Sequence, residues 1–457
     1  MDIAYDAIVI GAGPAGEVCA AKLAGQGLAT ALVERELVGG ECSFYACMPS
    51  KSLLRPGALA AETRRVAGVS DAEVEPIAAL RRRDEVIHEL DDASQLPWVE
   101  RNGIALLRGD ARLDGERRVV VTAADGAVAQ LEARRAVVLA TGSGAAIPPV
   151  PGLREIAPWT NREITTARQV PPRLLILGGG VVGVEMAQAW ASYGARVTVV
   201  ERAARLIEHE EELASEAVAD GLRARGVELR LGAAAAGARR EPDVGANVLR
   251  LDDGEELVAE VLVAATGRAP RTDGLGLETV GLEPGRWIEV GDDMRVPGRD
   301  WLFAIGDCNG RALLTHQGKL QARVVAAALA GRPAALRDHG QPPRVIFSEP
   351  QVAAIGPTLA QARAAGIDAE AVDARLDRTA GGSWHGKGVA QPARFVVDRA
   401  RRVLVGATFV GPAVAELVHA ASIAVAGEVP VDRIAEVAPP FPTRSEAWLA
   451  LADWSER

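Results

Sequence analysis

The stretch "AIVIGAGPAGEVCAAKLAGQGLATALVERE", residues 7 to 36, aligns without a gap with "LLILGGGVVGVEMAQAWASYGARVTVVERA", residues 174 to 203. Each copy reads as a buried strand, a G-x-G-x-x-G turn, an Ala-rich helix, a second buried strand and an acidic residue. The glycines are Gly11, Gly13 and Gly16 in the first copy, and Gly178, Gly180 and Gly183 in the second. The acids, Glu34 and Glu201, each fall 23 residues after their first glycine. One such pattern carries little weight in a chain with 48 glycines, but two copies with matching flanks mark a duplicated dinucleotide-binding unit. The first glycine permits the tight turn, the second lets backbone approach a pyrophosphate, and the third lets helix pack on strand. The helix N-terminus then offers unpaired N–H groups and a partial positive charge to the phosphates, while the acid accepts a hydrogen bond from a ribose hydroxyl. Two nucleotide cofactors are therefore expected. Glu201 favours NADH over NADPH, because a carboxylate repels a 2′-phosphate, although Arg202 and Arg205 stand just beyond it and are placed to capture one.

A chain of 457 residues is too long for one hydrophobic core and should divide into about three domains. Basic residues number 51 and acidic residues 61, for a net charge of -10, and no basic run is long enough to follow a phosphate backbone. Nucleic acid and anionic membrane are thus not expected as partners. The start, "MDIAYDAIVIGAG", lacks a basic n-region and reads as a strand running into a glycine turn, not as a signal peptide. No apolar stretch approaches the roughly 20 residues a membrane span needs. A cytoplasmic location is expected, where a close cysteine pair is more often catalytic or metal-binding than a structural staple. Lysine occurs only at 22, 51, 319 and 387.

Such a pair lies in "GGECSFYACMPSK", residues 39 to 51, where Cys42 and Cys47 follow Gly39 and Gly40. A zinc site needs four ligands, yet there is no C-x-x-C pair and all six histidines lie at 88 or beyond, so no metal site is expected. Packing is open to any cysteine and is the reading for Cys19 and Cys308. For Cys42 and Cys47, a four-residue spacer on a helical turn can bring both sulfurs within bonding distance, and a helix start would lower a thiol pKa.

With this motif added to two dinucleotide folds, the chain closely resembles the pyridine nucleotide–disulfide oxidoreductases, the family of dihydrolipoamide dehydrogenase, glutathione reductase and mercuric reductase. The likeness takes in "VVLATGS" (137 to 143), "VLVAATGRAP" (261 to 270), "LFAIGDCNGRALLTH" (302 to 316), "VIFSEPQVAAIG" (345 to 356) and "FPTRSEAW" (441 to 448). It implies an α/β fold with two Rossmann-like domains, for FAD and NAD(P)H, and a C-terminal α+β dimerisation domain. The FAD domain would occupy 1 to 150 and resume over 271 to 342, the NAD(P)H domain 151 to 270, and the dimerisation domain 343 to 457. A homodimer is implied with them. Within the last region, "RFVVDRARRVLVGATFVG" (394 to 411) alternates like two strands about a polar turn.

The resemblance further implies that Gly11, Gly13, Gly16, Glu34 and Gly40 hold FAD, with Thr141 and Gly142 beside the dinucleotide and Asp307 on the ribityl chain. Asp307 can also be read as a turn aspartate before Asn309-Gly310. Gly178, Gly180, Gly183, Glu201 and Gly267 would hold the nicotinamide nucleotide. By the same likeness Cys42 and Cys47 form a disulfide against the flavin ring, Cys47 exchanging electrons with FAD and Cys42 with substrate. Lys51 would sit near the flavin and pair with Glu185; a surface salt bridge is the alternative.

One part of the pattern is absent. Where the disulfide reductases carry His-x-His-Pro-Thr, this chain reads "PPFPTRSEAW", with Pro439 and Phe441 at the histidine positions and the orienting glutamate retained as Glu446. An exchanging thiol must gain or lose a proton near neutral pH, the task imidazole suits. Losing a positioned acid–base commonly lowers rate by about 10²- to 10⁴-fold. Tyr45 and His385 are the candidates to substitute, and a partial likeness to 2-ketopropyl coenzyme M oxidoreductase/carboxylase rests on Phe441. The expected activity is NAD(P)H oxidation through FAD and the Cys42–Cys47 pair, ending on a small-molecule or small-protein disulfide or other electrophile. Direct flavin reduction of quinones or metal ions, a reductase/carboxylase-type reaction, and a non-catalytic flavin-binding subunit are the competing expectations.

Overall fold

Why "AIVI" forms a central strand is visible in what covers it. Ala7 and Val9 join one apolar cluster with Leu32, Val138, Phe303 and the helical residues Cys19, Ala20 and Leu23. Ile8 and Ile10 point the other way, into a cluster with Val33, Val137, Leu139 and Leu302. A strand buried on both faces loses the alternation of a half-exposed one and reads as a continuous apolar run. The computed structural model describes residues 3–241, 245–336, 341–388 and 391–457. Among them no helix is long and apolar enough to cross a membrane.

The chain gathers into two compact units. The first comprises Met1–Pro49, Asp84–Ala146 and Arg268–Gly340. Its main sheet runs in the order Ala105–Arg108, Thr30–Glu34, Ile3–Ile10, Val128–Leu139, Arg118–Thr122, Asp110–Leu113, with Leu302–Ala304 also paired to Val128–Leu139. Pairings around Ile3–Ile10 are parallel, and the edge formed by Arg118–Thr122 and Asp110–Leu113 is antiparallel. The helix Pro14–Ala24 packs through Gly16, Cys19, Ala20 and Leu23, the i, i+3, i+4, i+7 face of an amphipathic helix. A second helix, Thr315–Leu329, covers the same sheet face with Ala322, Val325 and Leu329.

The second unit comprises Ser50–Arg83, Ile147–Gly267 and Gln341–Arg457. A four-stranded sheet runs Glu228–Leu231, Arg196–Glu201, Arg173–Leu177, Val261–Ala264, all parallel. The helix Val181–Ser192 that follows its glycine turn is buried on nearly every side. Within it Trp190 packs edge-on against Tyr193 at 5.8 Å, and the Tyr193 hydroxyl donates to the Leu53 carbonyl at 2.6 Å. A five-stranded antiparallel sheet is built from Gln341–Arg457, in the order Arg344–Ile346, Gln351–Ile355, Val403–Gly411, Pro392–Asp398, Ala369–Arg375. The polar run "DRARR" makes the turn between Pro392–Asp398 and Val403–Gly411.

Candidate functional site

The two glycine turns repeat each other in space as they do in sequence. A Cβ on Gly11 would fall 2.5 Å from the Ala140 carbonyl oxygen, and one on Gly178 would fall 2.4 Å from that of Ala265. On Gly16 it would lie 1.8 Å from the Gly11 oxygen, and on Gly183 1.9 Å from that of Gly178. These four positions have no room for a side chain. Gly13 and Gly180, by contrast, meet no atom within 4 Å. Each is the N-cap of the helix it opens, and neither helix has a side-chain cap. Two other helices do carry a side-chain cap: Thr160 with Glu163, and Thr358 with Gln361, form capping boxes. At the glycine-turn helices the first-turn donors thus have no side-chain cap and the N-cap glycine faces open space.

The acids close the same frame. Glu34 accepts from the Ala12 N–H at 2.7 Å and the Glu36 N–H at 2.8 Å; Glu201 accepts from Gly179 at 2.6 Å and Ala203 at 2.8 Å. In the second copy the Arg205 guanidinium is engaged by the Glu208 and Glu210 carbonyls, whereas Arg202 is exposed. Gly142 and Gly267 end the paired Ala-Thr-Gly turns in left-handed conformations, φ +71° and +131°, with open space around each.

In the first unit Gly39 and Gly40 both take positive φ, and a Cβ on Gly40 would sit 2.8 Å from the Gly13 Cα, so this loop lies against the first glycine turn. Cys42 follows in the short helix Gly40–Phe44, and Cys47 begins the long helix Cys47–Arg65. Both are free thiols, hydrogen-bonded to each other. The Thr315 hydroxyl stands 3.5 Å from the Cys47 sulfur. The helix start does not make Cys42 acidic. Its thiol is pushed up, first by the hydrogen bond to Cys47 and then by burial, against the opposing effects of Thr315 and Lys319. The neighbouring thiol and burial both oppose ionisation of Cys42, an effect that helix position alone does not reveal.

Asp307 lies in the same unit. Its carboxyl accepts from the Ser143 hydroxyl at 2.6 Å, and Arg268 Nε donates to that hydroxyl at 2.9 Å. Burial pushes the carboxyl up, with Ser143 and Arg268 opposing. Thr141 Oγ1 is buried nearby, beside Cys308. Cys308 itself is fully buried, donates to backbone carbonyls of Ile305 and Leu139, and is pushed up to about 12. Glu41, next to Cys42, pairs with Arg271 at 2.7 Å. Gln317 Oε1 is buried without a hydrogen-bond partner. An uncapped helix start beside an open glycine, together with this orphaned acceptor, fits a bound dinucleotide such as FAD.

In the second unit Lys51 Nζ pairs with Glu185 at 2.7 Å and lies 4.9 Å from the centre of the Phe347 ring. Glu185 is buried, and its other oxygen accepts from the Phe347 N–H. Glu446 accepts from the Ala380 N–H at 3.0 Å, so it serves the backbone. Phe441 is 78% exposed. His385 is half-buried, and burial with Arg444 and Arg65 holds its imidazole below the usual range. Among the described residues no cluster of three His, Cys, Asp or Glu is gathered for a metal ion. Sequence reasoning did not pick out Ser143, Arg268, Arg271, Thr315, Gln317, Lys319 or Glu17, whose places depend on segments far apart in the chain.

A family model described as pyridine nucleotide-disulphide oxidoreductase matches residues 5–330, and that of its dimerisation domain matches residues 342–452. Dihydrolipoyl dehydrogenase 3 of Pseudomonas aeruginosa is 33% identical, with 97% of this chain and 96% of that protein covered. Mercuric reductase of Shigella flexneri is 31% identical, covering 96% and 78%. Among solved structures, the Cu(II) complex of the HOCl-induced flavoprotein disulfide reductase RclA from Escherichia coli superposes with a TM-score of 0.86 at 23% identity. It covers 99% of this chain and 100% of that one, a likeness of fold.

Proposed function

The chain belongs to the pyridine nucleotide-disulphide oxidoreductase family, FAD-dependent enzymes that use NAD(P)H, and from that premise we propose that it passes electrons from a reduced nicotinamide to the Cys42–Cys47 pair and on to a disulfide or other electrophilic acceptor. The observation that carries this reading is the hydrogen-bonded pair of thiols, Cys42 with Cys47, in the unit that also holds the first glycine turn. Bound FAD would supply a two-electron carrier between nicotinamide and sulfur.

The chain's own residues would do the rest. The backbone N–H groups at the Pro14–Ala24 helix start would hold the pyrophosphate. Asp307, oriented by Ser143 and Arg268, would accept from the ribityl chain, with Thr141 and Gly142 alongside. The start of Val181–Ser192 would take the nicotinamide nucleotide, and Gly267 leaves open space at the end of its neighbouring turn. Lys51 would present a cation that Glu185 holds in place. NADH is the favoured donor, since Glu201 repels a 2′-phosphate and Arg205 is already committed to backbone carbonyls. The matched dimerisation domain supports a homodimer.

The test is an anaerobic titration of FAD-loaded protein with NADH and with NADPH, followed at the long-wavelength thiolate-to-flavin absorption. Reduction is expected at lower NADH than NADPH concentration, and the thiolate band should vanish in Cys47→Ser. Cys42→Ser and Cys47→Ser should both abolish disulfide turnover with FAD retained; full activity in both would overturn the dithiol step. A second reading, reduction of quinones or metal ions without the cysteines, is favoured by Phe441 standing where the family's acid–base does. Quinone reduction that survives thiol alkylation would support it.

A further inference from the structure

A threonine within a helix can turn its hydroxyl back to the carbonyl one turn behind, as Thr165 does to Asn161 at 2.8 Å and Thr166 to Arg162 at 2.7 Å. Thr315 opens the helix Thr315–Leu329, with no helical carbonyl one turn behind it, and its hydroxyl stands 3.5 Å from the Cys47 sulfur instead. Packing fixes this helix start. A Cβ on Gly318 would lie 3.0 Å from the Ala15 Cβ and 3.2 Å from the Gly306 Cα, so the start is held against the first glycine-turn helix and the turn that carries Asp307. Gln321, fully buried one turn further, accepts from the Gly306 N–H at 2.7 Å and from Asn309 Nδ2 at 2.9 Å.

We propose that the Thr315 hydroxyl is a positioning donor that settles the negative charge of the reduced pair on Cys47, and thereby sets how readily the Cys42–Cys47 bond opens. The inference rests on the reading of these cysteines as the redox pair. A thiolate has no proton to give, so with Cys47 ionised the hydroxyl donates. Cys42 donates to the same sulfur, which opposes its own ionisation; Thr315 eases that ionisation, but the bond to Cys47 and burial outweigh it. Cys47 thus receives two hydrogen bonds, and a hydrogen bond to an ionised acceptor is roughly twice as strong as a neutral one. In the disulfide both sulfurs are neutral, weak acceptors. The hydroxyl therefore favours the open pair and makes the disulfide easier to reduce. This contribution is present above the pH at which Cys47 ionises and is lost as pH falls through it.

The charged and titratable groups around the pair act on it with or without the hydroxyl. Lys319, one turn after Thr315 on the same helix face, lowers the Cys42 thiol. Glu41, next to Cys42, is held by Arg271 at 2.7 Å, and Lys51, one turn along the helix that Cys47 begins, by Glu185 at 2.7 Å. His316 follows Thr315, and Tyr45 lies between the cysteines in sequence. A substitution at Thr315 leaves all of these side chains in the chain.

Two measurements on the full-length, FAD-loaded chain test this. In Cys42→Ser protein Cys47 is the one thiol of the pair, and the pH midpoint of the long-wavelength thiolate-to-flavin absorption reports its ionisation. Adding Thr315→Val, which keeps the branched shape and removes the hydroxyl, should raise that midpoint by about one pH unit, and Thr315→Ser should restore it. The second measurement equilibrates the intact pair anaerobically with reduced and oxidised dithiothreitol. The dithiol fraction is read by acid quench, alkylation and peptide mass spectrometry. In this equilibrium the Cys42–Cys47 bond breaks, the dithiothreitol ring disulfide forms, and two electrons pass to the protein sulfurs. Of the two dithiothreitol protons, one goes to Cys42 and, with Cys47 ionised, the other to solvent. At alkaline pH, Thr315→Val should need about tenfold more reduced over oxidised dithiothreitol at half-reduction, a shift of about 30 mV. At acid pH, with Cys47 protonated, it should need no excess. An unmoved midpoint or an unmoved equilibrium in Thr315→Val overturns the proposal, as does a shift equal at acid and alkaline pH, or a Thr315→Ser that matches Thr315→Val. If Cys42→Ser showed no such absorption at any pH, the flavin would not adjoin Cys47 and the reading beneath would fall, while the dithiothreitol equilibrium would still decide the role of Thr315.

Discussion

Glu17 shows what a residue gives up to hold a proton near pH 7. Its carboxyl titrates near 4.5 when solvated and about 7 in the folded chain, so the native state binds the proton more tightly than the unfolded state does. Such a group lowers stability wherever the unfolded state would ionise it: the penalty is absent below about pH 4.5, grows with rising pH and is complete above about 7. At about 1.4 kcal/mol per pH unit the ceiling is roughly 3 kcal/mol, and residual solvent access reduces it. Glu17→Gln, neutral throughout, should therefore gain about 1 to 3 kcal/mol in urea unfolding of FAD-loaded protein at pH 8 and almost nothing at pH 5. Equal gains at both would mean that Glu17 is not buried as an acid. None of this is legible in "GPAGEVCAA", where Glu17 looks like any acid in a helix's first turn. Lys51 and Glu185 were legible because the family resemblance names both partners, 134 residues apart. Arg83, one of three consecutive arginines in "RRRDE", was not: it is fully buried and donates to the carbonyls of Thr165 and Ala167. Burial of this kind is decided by segments that share no local pattern with the residue.

At the level of elements, the glycine turns were read correctly from spacing because each glycine answers a local steric demand. What spacing left open is which glycine serves the fold and which serves a ligand. The collision distances separate them: Gly16 and Gly183 have backbone oxygens within 2 Å of any added Cβ, while Gly13 and Gly180 face open space and have backbone angles any residue adopts, φ -70° and -76°. Gly13→Ala should fold with stability within about 1 kcal/mol of the parent chain, yet bind FAD at least about tenfold more weakly when the apoprotein is titrated by flavin fluorescence, because the methyl group occupies the space of the pyrophosphate. Gly180→Ala should keep FAD and weaken the nicotinamide nucleotide instead. If Gly13→Ala bound FAD as tightly as the parent, the open space at the first turn would not be the pyrophosphate's place. The helix starts themselves could be located from the glycine spacing, but that no side chain caps either one emerges only from the hydrogen bonds.

For the molecule as a whole, the remaining question is what covers the apolar side chains of the second unit's C-terminal region. Single exposed hydrophobic residues are ordinary on a protein surface, but several in one segment mark an interaction face. Ile423 on the helix Val418–Ala426, Val437, Phe441 and Leu449 are all largely exposed, Val437 at 70%, and all lie within residues 342–452, matched by the dimerisation-domain family model. A homodimer would cover such a face with its own copy, and closed twofold pairing needs no other partner. The double variant Ile423→Glu with Val437→Glu places two charges where apolar contact is expected, at no loss of packing within the chain. Light scattering behind size exclusion should find two chains per particle for the parent protein and one for the variant, with the far-ultraviolet dichroism of the two superimposable. A variant that stays dimeric moves the interface elsewhere, and a parent that is monomeric at micromolar concentration leaves those side chains to another partner.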